Sequence, residues 1–373
     1  MILYLIPFIV TIFAAIVFDI GKYHDNNLKF IIWIGLYVYL TLLIGLRYMV
    51  GGDSYFYMLY FNNASVNGIF NISWDGEYQP LFNIFNNLAK EIYPSFTSFQ
   101  ILHVFIINTC LFYFVAKNSQ YRFSTLFLCL LMFYINFTVE ILRESLAIMV
   151  FIYNYKNLEN NKWVKYYIGV LLSVMFHLSA IFLIVLPFLK FLKLNKSYIL
   201  LLVLTFLMLS KLDFIFTFFE SIEKINEKAN VYSEASYGWK STVLFFATKT
   251  LIPIGLFLWA KVKFNIAIRY EFLMCVFGLL GVCSIFNTII FTRFTNYLIV
   301  FYCIALADVL IPFFRSKVLS PSNIFVRVTF VIILFTSGYT SFYWPAGYYE
   351  KWVPYYSIFS SEAEHNKFID RKY

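Results

Sequence analysis

Residues 29–46 read KFIIWIGLYVYLTLLIGL, with no charge between Lys29 and Arg47. About 20 apolar residues in a helix rising 1.5 Å per residue cover a hydrocarbon core roughly 30 Å thick. Backbone N–H and C=O groups find no partners in lipid, so a run of this kind crosses as a helix. Working outward, runs of the same character recur at about 2–18, 97–116, 122–139, 141–157, 197–216, 241–260, 271–291, 294–314 and 324–343. A further apolar stretch, about 164–192, surrounds His177. The chain of 373 residues is 61% hydrophobic, 22% aromatic and 13% charged, whereas a soluble domain carries roughly 25% charged residues. The expectation is an all-α, polytopic membrane helical bundle of about 10–12 transmembrane helices, one integral membrane domain over residues 1–373.

The formal charge of +9 sits mostly in short loops between these runs. Lys22 and Lys29, Lys117 and Arg122, Lys156, Lys162 and Lys165, Lys261, Lys263 and Arg269, and Arg315, Lys317 and Arg327 orient helices rather than bind nucleic acid. Placing them in the cytoplasm puts the N-terminus outside. Residues 1–18 carry no basic flank and no small-residue cleavage site, so they predict a retained first helix. Lys162 and Lys165 lie on one side of the His177 stretch, and Lys190, Lys193 and Lys196 on the other. Both clusters are cytoplasmic if two short limbs meet in a hairpin whose outer tip is near His177. Each limb has about 14 residues, roughly 21 Å, so the pair reads as re-entrant and covered by protein. A single crossing that violates the charge rule is the alternative. Two long loops, 47–96 and 217–240, then lie outside. The first contains Asp53, Asp75, Glu77 and Glu91, and the second Glu220, Glu223, Glu227 and Glu234. Within the first, Gln79–Ile92 has apolar residues at helical spacing and predicts a helix lying on the membrane surface. The segment after Tyr343 is also expected outside, near the interface.

Five cysteines, all within apolar runs, imply no disulfide framework and read as small core residues. There is no phosphate-binding loop, dinucleotide fingerprint or His-Glu-x-x-His, so no cofactor is expected. Four scattered histidines argue against a metal site. No internal repeat is visible, which disfavours a two-halved transporter.

Arg47, Asp53, Arg143, His177 and Arg293 come from five separate parts of the chain, and topology gathers all five on the outer side. The stretch Gly45-Leu46-Arg47-Tyr48-Met49-Val50-Gly51-Gly52-Asp53-Ser54-Tyr55-Phe56-Tyr57 leaves the membrane with an arginine suited to phosphate, a glycine turn, and a carboxylate among aromatic rings. The plainer alternative is a helix-end anchor neutralised by Asp53. Glu140 and Arg143 share a helical face and either meet a ligand or pair structurally. His177 can move a proton or rest as a satisfied core residue. Arg293 binds an anion or anchors at the interface, and Lys249 pairs within a span or snorkels. Cations converging on one face suit an anionic ligand such as a lipid diphosphate. Tyr48, Tyr55 and Tyr57 add aromatic faces to the same outer loop.

At these residues the chain resembles Wzy-type polysaccharide polymerases, in particular the EpsG-like branch. The resemblance rests on Gly-Leu-Arg-Tyr-x-Val-Gly-x-Asp-x-x-x-Tyr at 45–57, Leu-Arg-Glu-Ser-Leu-Ala at 142–147 and Phe-His-x-Ser-Ala at 176–180. Thr-Arg-Phe-x-x-Tyr at 292–297 and the tail Trp352-Val353-Pro354-Tyr355-Tyr356 extend it. The chain departs from the pattern at Gln79, where a Glu often precedes the proline, and at Glu144, where Gln is frequent. The resemblance implies polymerisation of undecaprenyl-diphosphate-linked oligosaccharide repeat units at the outer face of the bacterial cytoplasmic membrane. No nucleotide sugar is needed. Membrane lipids and a chain-length regulator are the further partners implied. On this reading Arg47, Asp53 and His177 are catalytic, with Asp53 or His177 as base. Arg143, Arg293, Tyr48, Tyr57, Glu140 and Lys249 bind substrate. The alternatives are an O-antigen ligase or other lipid-linked sugar transferase, and a flippase for lipid-linked oligosaccharide.

Overall fold

Every described element is helical, and helices begin where the sequence supplies caps. The computed structural model describes residues 2–64, 78–209, 246–316, 318, 320–342 and 351–360. The expected outer loop 217–240, with Asp75 and Glu77 of the earlier loop, lies outside the described residues. Helix α1 (Ile2–Ala14) continues as a π turn, Ala15–Ile20. Asp25 accepts the Leu28 N–H at 2.9 Å and starts α2 (Asn26–Gly45). Then follow α3 (Ser54–Asn63), α4 (Pro80–Ile92), α5 (Phe96–Asn118) and α6 (Arg122–Cys129). Proline at the first position of α4 costs no hydrogen bond there. Helix α6 runs on through two wide π turns, Leu130–Tyr134 and Asn136–Glu140, to a break at Ile141. Beyond it lie α7 (Leu142–Glu159), α8 (Trp163–Val174), a 3₁₀ segment (Leu178–Leu189) and α9 (Lys196–Leu209). A π turn (Ala247–Leu251) leads into α10 (Ile252–Phe264), followed by α11 (Glu271–Cys283), α12 (Thr288–Asn296), α13 (Ile299–Arg315) and α14 (Pro321–Phe342).

Among the described residues, Ile2–Ile20, Asn26–Gly45, Phe96–Asn118 and Pro321–Gly338 are long and apolar enough to cross a membrane. The bent pair Ile290–Asn296 and Ile299–Arg315 makes a fifth if it is one span. Its two parts are turned by 62°. The chain is therefore an all-α, multi-pass membrane bundle, as its apolar runs predict.

The helices gather into two units, 1–184 with 338–373, and 185–337. In the first, α2 packs on α5, α1 on α6, α5 on α7 and α7 on α8. Lipid tails are as apolar as leucine, so hydrogen bonds and close packing hold such helices together. Asn108 of α5 supplies both: it accepts the Tyr134 hydroxyl at 2.8 Å and donates to Thr41 of α2 at 2.9 Å. Trp33 of α2 packs on Phe112 of α5 with centroids 4.8 Å apart. In the second unit α11 packs against α9, α12 and α13.

The expected break at His177 is present: α8 stops at Val174 and the next turn begins at Leu178. The second limb is 3₁₀ rather than α, and at about 2.0 Å per residue it reaches farther than an α-helical limb of the same length. The helix predicted over Gln79–Ile92 is present as α4. The sequence did not suggest α3, because Ser54–Asn63 is rich in tyrosine and lacks a one-faced apolar stripe. The predicted loop at Arg293 is replaced by helix. Breaks flank this helix: Asn287 caps its start by accepting the Ile290 N–H at 3.0 Å, and the 62° bend follows Asn296.

Candidate active site

Past the end of α2 the chain turns sharply. Met49 and Gly51 have φ of +52° and +116°. At Gly51 a Cβ would stand 2.6 Å from Val139 Cγ1 and 3.0 Å from the Val139 carbonyl oxygen, so only glycine fits without strain. The C-terminal segment 351–360 lies along this turn as a strap. Tyr48 N–H donates to the Tyr356 carbonyl (2.9 Å), Gly51 N–H to that of Lys351 (3.0 Å), and Ile358 N–H to that of Leu46 (3.0 Å). Arg47 and Ser357 face each other in an antiparallel bridge.

Glu140, at the end of the wide-turn segment, ties the turn to the strap. It is buried, and its two carboxylate oxygens each accept the Gly52 N–H at 3.0 Å. Its Oε1 also accepts the Trp352 indole N–H at 2.8 Å. Tyr4 donates to the Trp352 carbonyl, and Tyr355 to the Leu43 carbonyl at 2.8 Å. These bonds join α1, α2, α6 and the C-terminus around one buried carboxylate.

Arg47 lies beneath the strap, 1% exposed. Its Nη1 donates to the Ile44 carbonyl at 2.8 Å, while Nε and Nη2 have no hydrogen-bond partner among the described residues. Burial pushes its pKa down to about 10, opposed by the fields of Tyr4, Glu140, Tyr355 and Tyr134. It therefore stays cationic at neutral pH, with Glu140 as its nearby acid.

Arg143, in the first turn of α7, has different surroundings. It is half-buried. Its Nε is 3.5 Å from the Tyr57 hydroxyl, and its Nη1 donates to Gln79 Oε1 at 3.3 Å. Its guanidinium carbon stands 4.1 Å from the Tyr78 ring centroid. All three partners are neutral. Tyr57 and Tyr60 pack against Tyr78 and Phe82, with the Tyr60 and Tyr78 centroids 4.4 Å apart, forming an aromatic floor beside the cation.

The His177 break joins the same region through α4. Leu81 N–H donates to the Met175 carbonyl at 3.0 Å, two residues from Gln79 at one end and two from His177 at the other. His177 is buried, with Nδ1 2.7 Å from Ser179 Oγ and accepting the Ser179 N–H at 3.3 Å. An amide N–H can only donate, so in the neutral ring the proton sits on Nε2. Asp53 is exposed at the N-cap of α3, with φ −95° and ψ 0°. Tyr48 and Tyr55 are half-exposed.

The first unit thus holds Arg47, Tyr48, Asp53, Tyr57, Glu140, Arg143 and His177, on segments joined by the hydrogen bonds above. Arg293, in the last turn of α12, and Lys249, in the π turn before α10, belong to the second unit and are half-buried there. Two other cations of that unit pair with acids. Arg269 meets Asp308 at 3.0 Å, and Lys261 pairs with Glu271, which also accepts the Leu194 N–H.

Sequence reasoning missed several contributors. Gln79, singled out only as a departure from the family pattern, and Tyr78, not singled out at all, partner Arg143. His103 is fully buried in α5, with Nε2 3.0 Å from the Leu142 carbonyl and 3.1 Å from Ser145 Oγ, which steadies the turn that carries Arg143. Its signal was available: Gln100 and His103 are polar residues three apart on one face of an otherwise apolar span.

A family model described as EpsG family matches residues 30–357 of this chain. No curated protein and no solved structure matches it.

Proposed function

The chain belongs to the EpsG family, a polysaccharide polymerase family, and from that premise we propose that it joins lipid-diphosphate-linked oligosaccharide repeat units into a longer chain. The donor is a repeat unit or growing chain on undecaprenyl diphosphate, and the acceptor is the sugar of a second lipid-linked unit. The acceptor hydroxyl oxygen bonds to the anomeric carbon, the bond from that carbon to the diphosphate oxygen breaks, and the hydroxyl proton leaves. The lipid diphosphate departs with the electron pair, so no nucleotide is consumed. The site faces away from the cytoplasm, a reading supported by the basic loops on the other side.

One observation carries this reading: half-buried Arg143 has only neutral partners among the described residues, and it lies against an aromatic floor. A leaving diphosphate gains charge in the transition state, and a fixed guanidinium beside it stabilises that charge most when no carboxylate competes. Tyr57 and Tyr78 present rings on which sugars stack. Asp53, exposed at the mouth of the turn, is the better placed base. His177 has its Nδ1 engaged by Ser179, which leaves the proton of the neutral ring on Nε2. Glu140, with its oxygens engaged by Gly52 and Trp352, positions the turn rather than the substrate.

Purified protein in lipid nanodiscs, mixed with undecaprenyl-diphosphate-linked repeat units, should yield a ladder of chain lengths, with one lipid diphosphate released per bond. A single addition without a ladder would indicate a ligase-type transferase. Movement of the lipid-linked unit across a vesicle membrane without bond formation would indicate a flippase.

A further inference from the structure

The two glycines after Arg47 serve different needs. Gly51 answers to its backbone, as described. Gly52 does not adopt the left-handed conformation. What a Cβ there would meet is the side chain of Lys351: Nζ at 2.8 Å, Cδ at 3.0 Å and Cε at 3.1 Å. The lysine stem crosses directly over Gly52. Its root is fixed, because the Lys351 carbonyl accepts the Gly51 N–H at 3.0 Å. The residue beneath it is fixed too, because the Gly52 N–H is held by Glu140, which also holds Trp352, the next residue of the strap. Lys351 is half-buried.

We propose that Lys351 is a further anion-binding residue of the site, and that residue 52 is glycine so that this side chain can pass. The proposal rests on the lipid-diphosphate reading above. Lys351 reaches the turn immediately before Asp53, and Arg143 follows three residues after the glutamate that anchors Gly52. Two cations of different kinds then flank the anchored turn. The arginine is a rigid fork held by Tyr57, Gln79 and Tyr78, suited to one phosphate in fixed geometry. The lysine is a point charge on a flexible stem, able to follow a diphosphate as it separates from the sugar. The C-terminal strap thereby supplies a ligand as well as a cover.

The test is a double-mutant cycle on the full-length protein in nanodiscs, with farnesyl diphosphate as probe and binding read by calorimetry. Lys351→Ala should weaken binding about tenfold, the loss of one charge-assisted contact. Gly52→Ala should weaken it comparably, because its Cβ displaces a flexible side chain without straining the backbone. In the Lys351→Ala background, Gly52→Ala should have no further effect, since nothing is left to displace. Wild-type affinity in Lys351→Ala, or additive losses in the double variant, would overturn the proposal. If the wild-type protein shows no saturable binding of the probe, the diphosphate reading itself falls and this inference with it.

Discussion

Arg47 and Arg143 stand at the starts of two neighbouring motifs, yet the structure treats them oppositely. Arg47 is sealed under the strap, shares its surroundings with a carboxylate and donates to the chain's own backbone. Arg143 is half-open and, among the described residues, touches only neutral groups. A buried cation with a compensating acid organises a fold, whereas an accessible cation without one organises a ligand. On the proposed function, the arginine in the longer motif holds the fold together and the arginine in the shorter motif meets the substrate.

The sharpest way to break this comparison is Arg143→Ala. Loss of a transition-state charge partner should slow ladder formation by about 10²–10³-fold. Protein yield and thermal midpoint should stay at wild-type values. Arg47→Ala should do the reverse and destabilise the protein by about 3 kcal/mol, because Glu140 and the strap lose their central cation. Tryptophan fluorescence during denaturation would report it. Gly51→Ala forces a left-handed φ and a clash with Val139, at a cost of about 2 kcal/mol by the same measurement. Trp352→Phe removes one donor from the Glu140 carboxylate and should cost about 1 kcal/mol. The smallest change sharpens the contrast most: Gln79→Glu gives Arg143 an acid neighbour. It should weaken farnesyl diphosphate binding by about threefold, with no loss of stability.

What the sequence makes legible follows from range. Apolar runs report the solvent of each segment, so 29–46 and 97–116 already describe α2 and α5 to within a few residues. The break at His177 is legible because Lys162 and Lys165 on one flank and Lys190, Lys193 and Lys196 on the other cannot share a side after one crossing. The strap is not legible. Its hydrogen bonds join Leu46 to Ile358 and Glu140 to Trp352, and no local pattern reports a pairing across hundreds of residues. For that reason the sequence placed Arg47 at an open membrane edge, and gave Glu140 to the substrate when its oxygens are engaged by Gly52 and Trp352. Arg143 was legible as a candidate through its spacing from Glu140. Its actual partners, Tyr57, Gln79 and Tyr78, come from α3 and from the start of α4, and α3 carries no amphipathic signature. The paired role of Gly51 and Gly52 was legible as a turn but not as two separate requirements, because the lysine that crosses Gly52 arrives from the far end of the chain.

The most direct test of the division between the two arginines is single-turnover transfer with donor pre-bound, the rate expressed per folded molecule. The account predicts that Arg143→Ala lowers that rate at least about 100-fold. Folded molecules of Arg47→Ala should keep it within about tenfold, a change of no more than about 1.4 kcal/mol in the barrier. Equal losses per folded molecule, or a wild-type rate in Arg143→Ala, would contradict it.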